Sequence, residues 1–292
     1  MTLRIATRRS ALALAQARLV ADALGGAQLV EVVTAGDRGE RGGDKSRWVA
    51  ELERTVLNGE ADVAVHSAKD VPGQLAAGLA IVAVPPRADA RDALCGARSL
   101  DELRPGARVG TSSLRRSSQL RAVRDDLEVV ALRGNVDTRL RRLAAGELDA
   151  LVLALAGLQR LGSDAEAGCA LEPDPFVPAP GQGALALEAR ADDGAVVEAL
   201  SALDDPAASA CLRAERALTA RLDASCHTPV GGHAVAVDGG RLALNAYVGL
   251  PDGSAWVRDR LEGAIDRPDE LGRTVGERVL AAGGERLLEA VA

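Results

Sequence analysis

Residues 108–116 read RVGTSSLRR, and the order of residue types in this stretch predicts the fold of much of the chain. Residues 108–110 are predicted to form a brief strand. The three hydroxyl residues after them favour a helix N-terminus, because a Ser or Thr oxygen can accept a hydrogen bond from an unpaired N–H of the first turn, so a helix is expected from Leu114. The stretch therefore predicts a strand, a short polar loop and a helix, in that order.

The same order recurs through the first two thirds of the chain. A predicted strand near the N-terminus precedes Ser10, which can cap a helix over 11–24. Residues 61–67 and 129–132 are further predicted strands, and 150–155 is apolar throughout, as a buried parallel strand would be. This pattern predicts a doubly wound α/β fold whose ligands bind beyond the carboxyl ends of the strands.

Proline-rich segments divide the chain into candidate domains. Pro85-Pro86 and the stretch EPDPFVPAP at 172–180 suit hinges between lobes, and from residue 205 the pattern changes. We predict a small C-terminal α+β domain there, with a three-stranded antiparallel sheet. Its strands are expected at 233–237, 241–248 and 255–261, and its helices at 206–222 and 269–291. The predicted domains are a first α/β lobe formed by 1–85 and 181–201, a second α/β lobe at 88–178, and the C-terminal domain at 205–292.

Composition and charge exclude several classes of protein. The chain has 292 residues, 47% of them hydrophobic, which is enough for the core of two or three domains. Its formal net charge of -7 argues against a nucleic-acid surface, so any anion-binding site must be a local concentration of basic residues. No apolar run could span a bilayer, and the run 11–15 is too short for a signal peptide. The cysteines are irregularly spaced, which fits a reducing compartment better than a disulfide framework. We therefore expect a cytoplasmic protein that binds neither nucleic acid nor membrane.

Three predicted strand-to-helix loops carry arginine or hydroxyl groups. Helix N-termini present unpaired N–H groups and partial positive charge, and arginine adds bidentate recognition of carboxylates or phosphates. In any one loop these residues would be ordinary helix caps and solvated arginines, but three such loops together favour a polyanionic ligand. The loops are TRRS at 7–10, TSSLRR at 111–116 and RGNVDTR at 133–139.

Asp70 follows Lys69 at the end of a predicted strand, just before a Val-Pro pair. An aspartate in this position is often a turn residue that bonds to nearby backbone. It could equally be a carboxylate at the ligand edge of the sheet, kept ionised by arginines and able to stabilise a developing cation. The residue pattern alone leaves both interpretations open.

The loop LDASCHTPVGGH at 222–233 places Cys226 beside His227, with His233 close behind. These spacings match no familiar zinc pattern, so we predict no metal site. An inert buried thiol is the commonest state of a cysteine, yet the polar, turn-rich loop favours exposure and reactivity. The segment GQGALA at 181–186 matches G-x-G-x-x-A, but a proline-rich stretch and not a strand precedes it, which argues against dinucleotide binding.

Several segments, in their order along the chain, together resemble the porphobilinogen deaminase family. VGTSSLRR with LRGNVDTRL is the most specific pair, and HSAKDVP adds to it. The matching segments are RIATRRSALALAQA, DVAVHSAKDVP, VGTSSLRRSSQL, LRGNVDTRL, LALAGLQRLG, PAPGQGALALEAR and AERALTARLDASCHTPVGG.

The resemblance implies a transferase of tetrapyrrole (porphyrin and heme) biosynthesis, hydroxymethylbilane synthase. Such an enzyme condenses four porphobilinogen molecules head to tail on a dipyrromethane primer, with loss of ammonia, and then releases the linear tetrapyrrole by hydrolysis. The dipyrromethane cofactor would be held by a thioether to Cys226, in the cleft between the two lobes of a monomer. Asp70 matches the catalytic aspartate, which would stabilise the cationic substrate and assist proton transfer.

The resemblance also implies binding roles, residue by residue. The positions that match cofactor contacts are Ser67, Lys69, Asp70, Thr111, Ser112, Ser113, Arg115 and Arg116. The positions that match contacts to the substrate are Arg8, Ser10, Arg133, Arg139, Arg160 and Gln182, the last of them where the two lobes are expected to meet.

The chain departs from the family pattern in two loops. The loop at 42–48 is shorter than usual; Lys45 lies at a family lysine position and Trp48 replaces a phenylalanine, so both are expected in an active-site lid. Ser225 precedes Cys226 where the family commonly has glycine. The alternative function is a two-lobed binding protein for an anionic solute, because the predicted lobes resemble those of periplasmic binding proteins.

Overall fold

The computed structural model describes residues 2–33, 46–225 and 228–291. Strands and helices follow one another along this part of the chain, and three sheets result. The strands are β1 Arg4–Arg8, β2 Gln28–Val32, β3 Val63–Ser67, β4 Leu79–Ala83, β5 Asp92–Cys95, β6 Arg108–Gly110, β7 Glu128–Val130, β8 Ala150–Ala154, β9 Ala167–Leu171, β10 Leu185–Arg190, β11 Val230–Val237, β12 Arg241–Gly249 and β13 Trp256–Ala264. The helices are α1 Ala11–Ala23, α2 Ser46–Leu57, α3 Leu114–Val123, α4 Val136–Ala144, α5 Leu155–Arg160, α6 Gly194–Ser201, α7 Pro206–Arg221, α8 Pro268–Val279 and α9 Glu285–Glu289.

The first sheet has the strand order β2-β1-β3-β10-β4. Strand β1 runs parallel to β2 and β3, whereas β10 is antiparallel to β3 and β4. Because successive side chains of a strand point to opposite faces, Val63 and Val65 pack with α1 and α6 while Ala64 packs with α2. Helices therefore cover both faces of this sheet. The compact unit that contains it comprises Met1–Ala88 and Ala184–Ser209.

The second sheet has the order β7-β6-β8-β5-β9. Strand β6 is parallel to β7 and β8, and β5 is antiparallel to β8 and β9. Leu120 of α3 packs on one face, and Leu140 of α4 with Leu158 of α5 packs on the other. This sheet belongs to a second compact unit, which comprises Asp89–Gly183 and Ala210–Ala292.

The third sheet is an antiparallel meander of order β11-β12-β13 in the second unit. Its core is closed by α7 and α8, whose Leu218 and Val275 pack with Leu242 of β12. The prediction of one continuous last helix over 269–291 is wrong. Gly283 has a φ of 105°, which an α-helix cannot contain, so α8 and α9 are separate helices.

The predicted fold class is confirmed, since helices cover both faces of two α/β sheets and a three-stranded antiparallel sheet follows them. Several strand ends differ from the prediction: β3 starts at Val63, β7 spans Glu128–Val130, β11 starts at Val230, and β13 spans Trp256–Ala264. Strands β8 and β12 differ by one residue at their ends. Within the ranges that the structure describes, no helix has the length and apolar character needed to cross a membrane. The division into three domains stays a prediction.

Candidate active site

Two parallel strands of the first sheet end in polar residues at the same edge. Strand β1 ends at Arg8, and Ser10 caps α1 by accepting a hydrogen bond from the N–H of Ala13 at 3.3 Å. Strand β3 ends at Ser67 and continues into a short 3-10 turn that ends at Asp70. Because the carboxyl ends of adjacent parallel strands lie side by side, this edge is where an α/β sheet binds ligands.

A cavity opens at this edge, and it brings together five residues that the sequence predicted for the site. It also includes Gln16 and His66, which were not predicted, whereas Lys69 is not among its lining residues. The predicted residues in the lining are Arg8, Ser10, Trp48, Ser67 and Asp70.

Gln16 connects the first helix to the end of β3. Its Nε2 donates a hydrogen bond to Ser67 Oγ at 2.8 Å, and its side chain is buried. Sequence reasoning missed Gln16 because it read the residue only as part of a helix. The available signal was an amide among the alanines and leucines of α1, since a buried amide requires a hydrogen-bond partner.

His66 belongs to a group of buried ionisable residues on the α2 side of the sheet. Its Nε2 lies 2.9 Å from Glu188 Oε2, and both side chains are almost fully buried. Glu53 of α2 accepts a hydrogen bond from the N–H of Ala76 at 3.1 Å. Burial raises the pKa of Glu53, and the charge of Glu188 adds to the rise. His66 is thus held in place by its close contact with Glu188 while it also lines the cavity.

The second sheet presents a helix N-terminus at the end of β6. Thr111, Ser112 and Ser113 lie between β6 and α3, as predicted. Ser113 caps α3 by accepting a hydrogen bond from the N–H of Arg116 at 3.4 Å, and Thr111 Oγ1 accepts one from the N–H of Ser113 at 3.2 Å. Only Ser112 of the three is exposed.

Arg115 and Arg116, at the start of α3, both pair with Asp92, the fully buried first residue of β5. Arg115 Nη2 lies 2.8 Å from Asp92 Oδ2, and Arg116 Nη2 lies 2.7 Å from Asp92 Oδ1. Gln182 Nε2 also donates to Asp92 Oδ1, at 2.9 Å. Burial alone would raise the pKa of Asp92, but the two guanidinium groups outweigh it and hold the pKa at about 2. Sequence reasoning missed Asp92, and three residues predicted for binding meet at its carboxylate.

Two other arginines of this unit are half-buried and form no ion pair with a carboxylate in the part of the chain that the structure describes. Arg139 Nε donates to the Gly134 carbonyl at 2.7 Å, and Arg160 Nη2 donates to the Gly183 carbonyl at 2.7 Å. Burial lowers the pKa of Arg139, with Arg116 nearby adding to the effect, and lowers that of Arg160 to about 10. Partial desolvation of a cation that has no anion beside it costs free energy, so this arrangement suits a ligand that supplies carboxylates.

The remaining predicted residues are exposed or lie outside the described residues. Arg133 is exposed in the loop after β7. Lys45 and Cys226 lie outside the described residues, so their predicted roles stay predictions. Next to Cys226 in sequence, the N–H of Ser225 donates to Thr228 Oγ1 at 2.9 Å.

The donor set of the second unit fits a cofactor that carries several carboxylates. Its members are all cationic or hydrogen-bond donors: the N-terminus of α3, the half-buried Arg139 and Arg160, and Arg115. Among the described residues, Arg115 Nε is buried and has no hydrogen-bond acceptor. A dipyrromethane with acetate and propionate side chains would supply the acceptors that these groups lack.

These features define a class: an α/β protein with cationic and hydroxyl groups at the carboxyl ends of its parallel strands, an arrangement that suits an anionic ligand. The model of the family domain "Porphobilinogen deaminase, dipyromethane cofactor binding domain" matches residues 3–198, and that of "Porphobilinogen deaminase, C-terminal domain" matches residues 209–281. The chain belongs to the porphobilinogen deaminase family. The family's enzymes are transferases of tetrapyrrole biosynthesis, hydroxymethylbilane synthases, and dipyrromethane is their cofactor.

Two relatives that are similar in sequence agree with this membership. A porphobilinogen deaminase from Roseiflexus castenholzii is 46% identical over 98% of this chain and 98% of its own length. One from Thiobacillus denitrificans is 43% identical over 99% of both chains. Among solved structures, an ABC transporter periplasmic substrate-binding protein from Coxiella burnetii is 14% identical, with a TM-score of 0.43 over 71% of this chain and 94% of that chain.

Proposed function

We propose that Asp70 is the catalytic carboxylate with which this chain condenses porphobilinogen into hydroxymethylbilane. The observation that carries the proposal is the cavity of the first unit, which Asp70 lines together with Arg8, Ser10 and Ser67. A carboxylate beside a cation and two hydroxyl groups combines a charge stabiliser with groups that can hold the carboxylates of the substrate.

Asp70 would act on the positive charge that develops on the substrate as ammonia leaves. Its carboxylate stabilises that charge and then accepts the proton that the newly joined pyrrole loses. Arg8 and Ser10 bind the acetate or propionate of the incoming substrate, and Gln16 orients Ser67 through their hydrogen bond. When bound, the dipyrromethane supplies the free pyrrole carbon on which the new chain is built.

Cys226 is the proposed attachment point of that cofactor, through a thioether. Around the cofactor we propose Ser67, Lys69, Asp70, Thr111, Ser112, Ser113, Arg115 and Arg116. Around the substrate we propose Arg8, Ser10, Arg133, Arg139, Arg160 and Gln182, while Lys45 and Trp48 are proposed to belong to the lid. Arg139 and Arg160 support this assignment, because desolvation lowers the pKa of both and neither pairs with a carboxylate among the described residues.

Several broader properties are proposed with this function. The substrate is porphobilinogen and the protein works as a cytoplasmic monomer of three domains, without a nucleic-acid or membrane partner. The net charge of -7 supports the absence of a nucleic-acid surface.

The deciding experiment compares the natural protein with Asp70→Asn. Purified natural protein should convert porphobilinogen to hydroxymethylbilane, whereas Asp70→Asn should fold and carry the cofactor but lose at least about 99% of its turnover. Asp125→Asn, an exposed aspartate in the loop after α3, is the matched control and should keep its activity. Near-normal turnover in Asp70→Asn would remove Asp70 from catalysis. Binding of porphobilinogen without any product would favour the alternative of a binding protein.

A further inference from the structure

Trp48, in the first turn of α2, stacks over the guanidinium of Arg8. The Cζ atom of Arg8 lies 4.0 Å from the centroid of the Trp48 ring, and both residues line the cavity that contains Asp70. The neighbouring Arg9 has a different environment, because its Nε lies 3.4 Å from Glu31 Oε2 and its side chain is 55% exposed. The first unit therefore directs one of two consecutive arginines into the cavity, against an aromatic ring.

A stacked guanidinium can still bind a carboxylate. The ring interacts with the flat face of the guanidinium, whereas hydrogen bonds to a carboxylate are made in its plane, through the N–H groups at its edge. The ring therefore restricts the orientation of Arg8 without competing for the same groups. Tryptophan gives the strongest interaction of this kind among the aromatic side chains.

We propose that Trp48 is a positioning residue for substrate binding, which acts by holding the Arg8 guanidinium ready for a carboxylate of the incoming substrate. This inference rests on the proposed function of the cavity and extends it to a residue that does no chemistry itself. Pre-ordering Arg8 removes part of the entropy cost of immobilising a long side chain on binding. The effect should therefore appear in KM and not in kcat.

A purely structural role for Trp48 is the rival explanation. Val49 and Leu52 of α2 also line the cavity, so the ring could serve only to pack this helix against the sheet. The two roles differ in whether the effect of Trp48 depends on Arg8. A packing role would lower stability and would persist when Arg8 is replaced.

The test is a double-mutant cycle with Trp48→Leu and Arg8→Gln, measured on the cofactor-loaded full-length protein. Trp48→Leu should raise KM for porphobilinogen about fivefold with kcat within about twofold, and Trp48→Phe should lie between it and the natural protein. In the Arg8→Gln protein, adding Trp48→Leu should not raise KM further. An unchanged KM in Trp48→Leu, or an equal rise in both backgrounds, would overturn the inference.

A spectroscopic measurement keeps the test decisive if Arg8→Gln is too slow to assay. The chain has two tryptophans, so Trp256→Phe leaves Trp48 as the only one. Trp256, which stacks over Arg258 at 5.0 Å, is exposed and serves as the matched control, with an expected KM equal to that of the natural protein. Porphobilinogen should change the emission of Trp48 saturably, and Arg8→Gln should abolish the change. No change in the Trp256→Phe protein would contradict the proposal.

The failures of the two proposals are distinguishable. If the natural protein forms no hydroxymethylbilane, the proposed function fails. If it forms the product and Trp48→Leu forms it with the same KM, only the role of Trp48 fails.

Discussion

Arg115 and Asp92 form a fully buried ion pair, with Arg115 Nη2 2.8 Å from Asp92 Oδ2. Arg116 pairs with the other oxygen of the same carboxylate, so one buried anion serves two consecutive cations of α3. Arg115 also donates to the Val177 carbonyl at 2.7 Å. The start of α3, where the cofactor contacts are proposed, is therefore fixed to β5 and to the segment before β10.

Asp92→Asn should destabilise the second unit by roughly 3 kcal/mol, because it leaves two buried guanidinium groups without their anion. The folded pKa of Asp92 is lowered to about 2, so its stabilisation is complete above the ordinary aspartate pKa of about 3.9 and is lost as the pH falls towards 2. Urea unfolding at several pH values measures both effects. Asp126→Asn, which removes an exposed partner of Arg124, is the control and should change the midpoint little. An equal loss in both variants would contradict the role of Asp92.

Glu53→Gln should remove a pH dependence of stability. The folded pKa of Glu53 is raised by burial and by Glu188, so its contribution is complete below about pH 4.3 and is lost as the pH rises through the raised value. Glutamine keeps the oxygen that accepts from Ala76 but carries no charge. The stability of Glu53→Gln relative to the natural protein should therefore increase between pH 4 and pH 8 in urea titrations. A constant difference would refute this, and the exposed Glu198→Gln on α6 is the control.

Arg160→Leu should weaken substrate binding without lowering stability. Burial lowers the pKa of Arg160 to about 10, which reflects a charge that costs stability until a ligand neutralises it. Loss of a charged hydrogen bond to the substrate should raise KM about tenfold or more. Arg142→Leu removes an exposed arginine that is paired with Glu147 at 2.7 Å, and it should leave KM unchanged. An Arg160→Leu protein with natural KM would exclude Arg160 from the substrate site.

Cys226→Ala should abolish covalent attachment of the cofactor. The intact mass of the natural protein should exceed the sequence mass by about one dipyrromethane, and Cys226→Ala should lack this increment. Cys169→Ala replaces a half-buried cysteine and should retain it. Active protein without added mass at Cys226 would refute the thioether.

Much of the fold could be predicted from local patterns, because a strand, a capping residue and a helix follow one another within short stretches of sequence. Ser10 and Ser113 cap the helices they were predicted to cap, and each cap follows a strand of the pattern. Strand β5 escaped prediction because it begins with Asp92, a charged residue that is buried only through partners far away in sequence. The break at Gly283 was also missed, since the pair Gly283-Gly284 was read as part of an otherwise helical pattern.

Residues at the ends of predicted strands could be assigned to the candidate site from the sequence, whereas contacts that depend on distant strands could not. The cluster of Arg8, Ser10 and Asp70 follows from the rule that parallel strands end at one edge. The engagement of Arg115 and Arg116 with Asp92 does not follow from any local pattern, because it requires β5 to lie antiparallel beside β8. The role of Cys226 rests on family resemblance, since a bond to an external group leaves no trace in residue spacing.

The position of β10 has a consequence for synthesis on the ribosome. This strand lies between β3 and β4, so the first sheet cannot close until more than a hundred later residues have been translated. The second sheet, by contrast, is built from one uninterrupted stretch that ends at Leu171. During translation the second sheet can therefore form before the first is complete. Until β10 has been synthesised, β3 and β4 lack the strand that pairs with both of them.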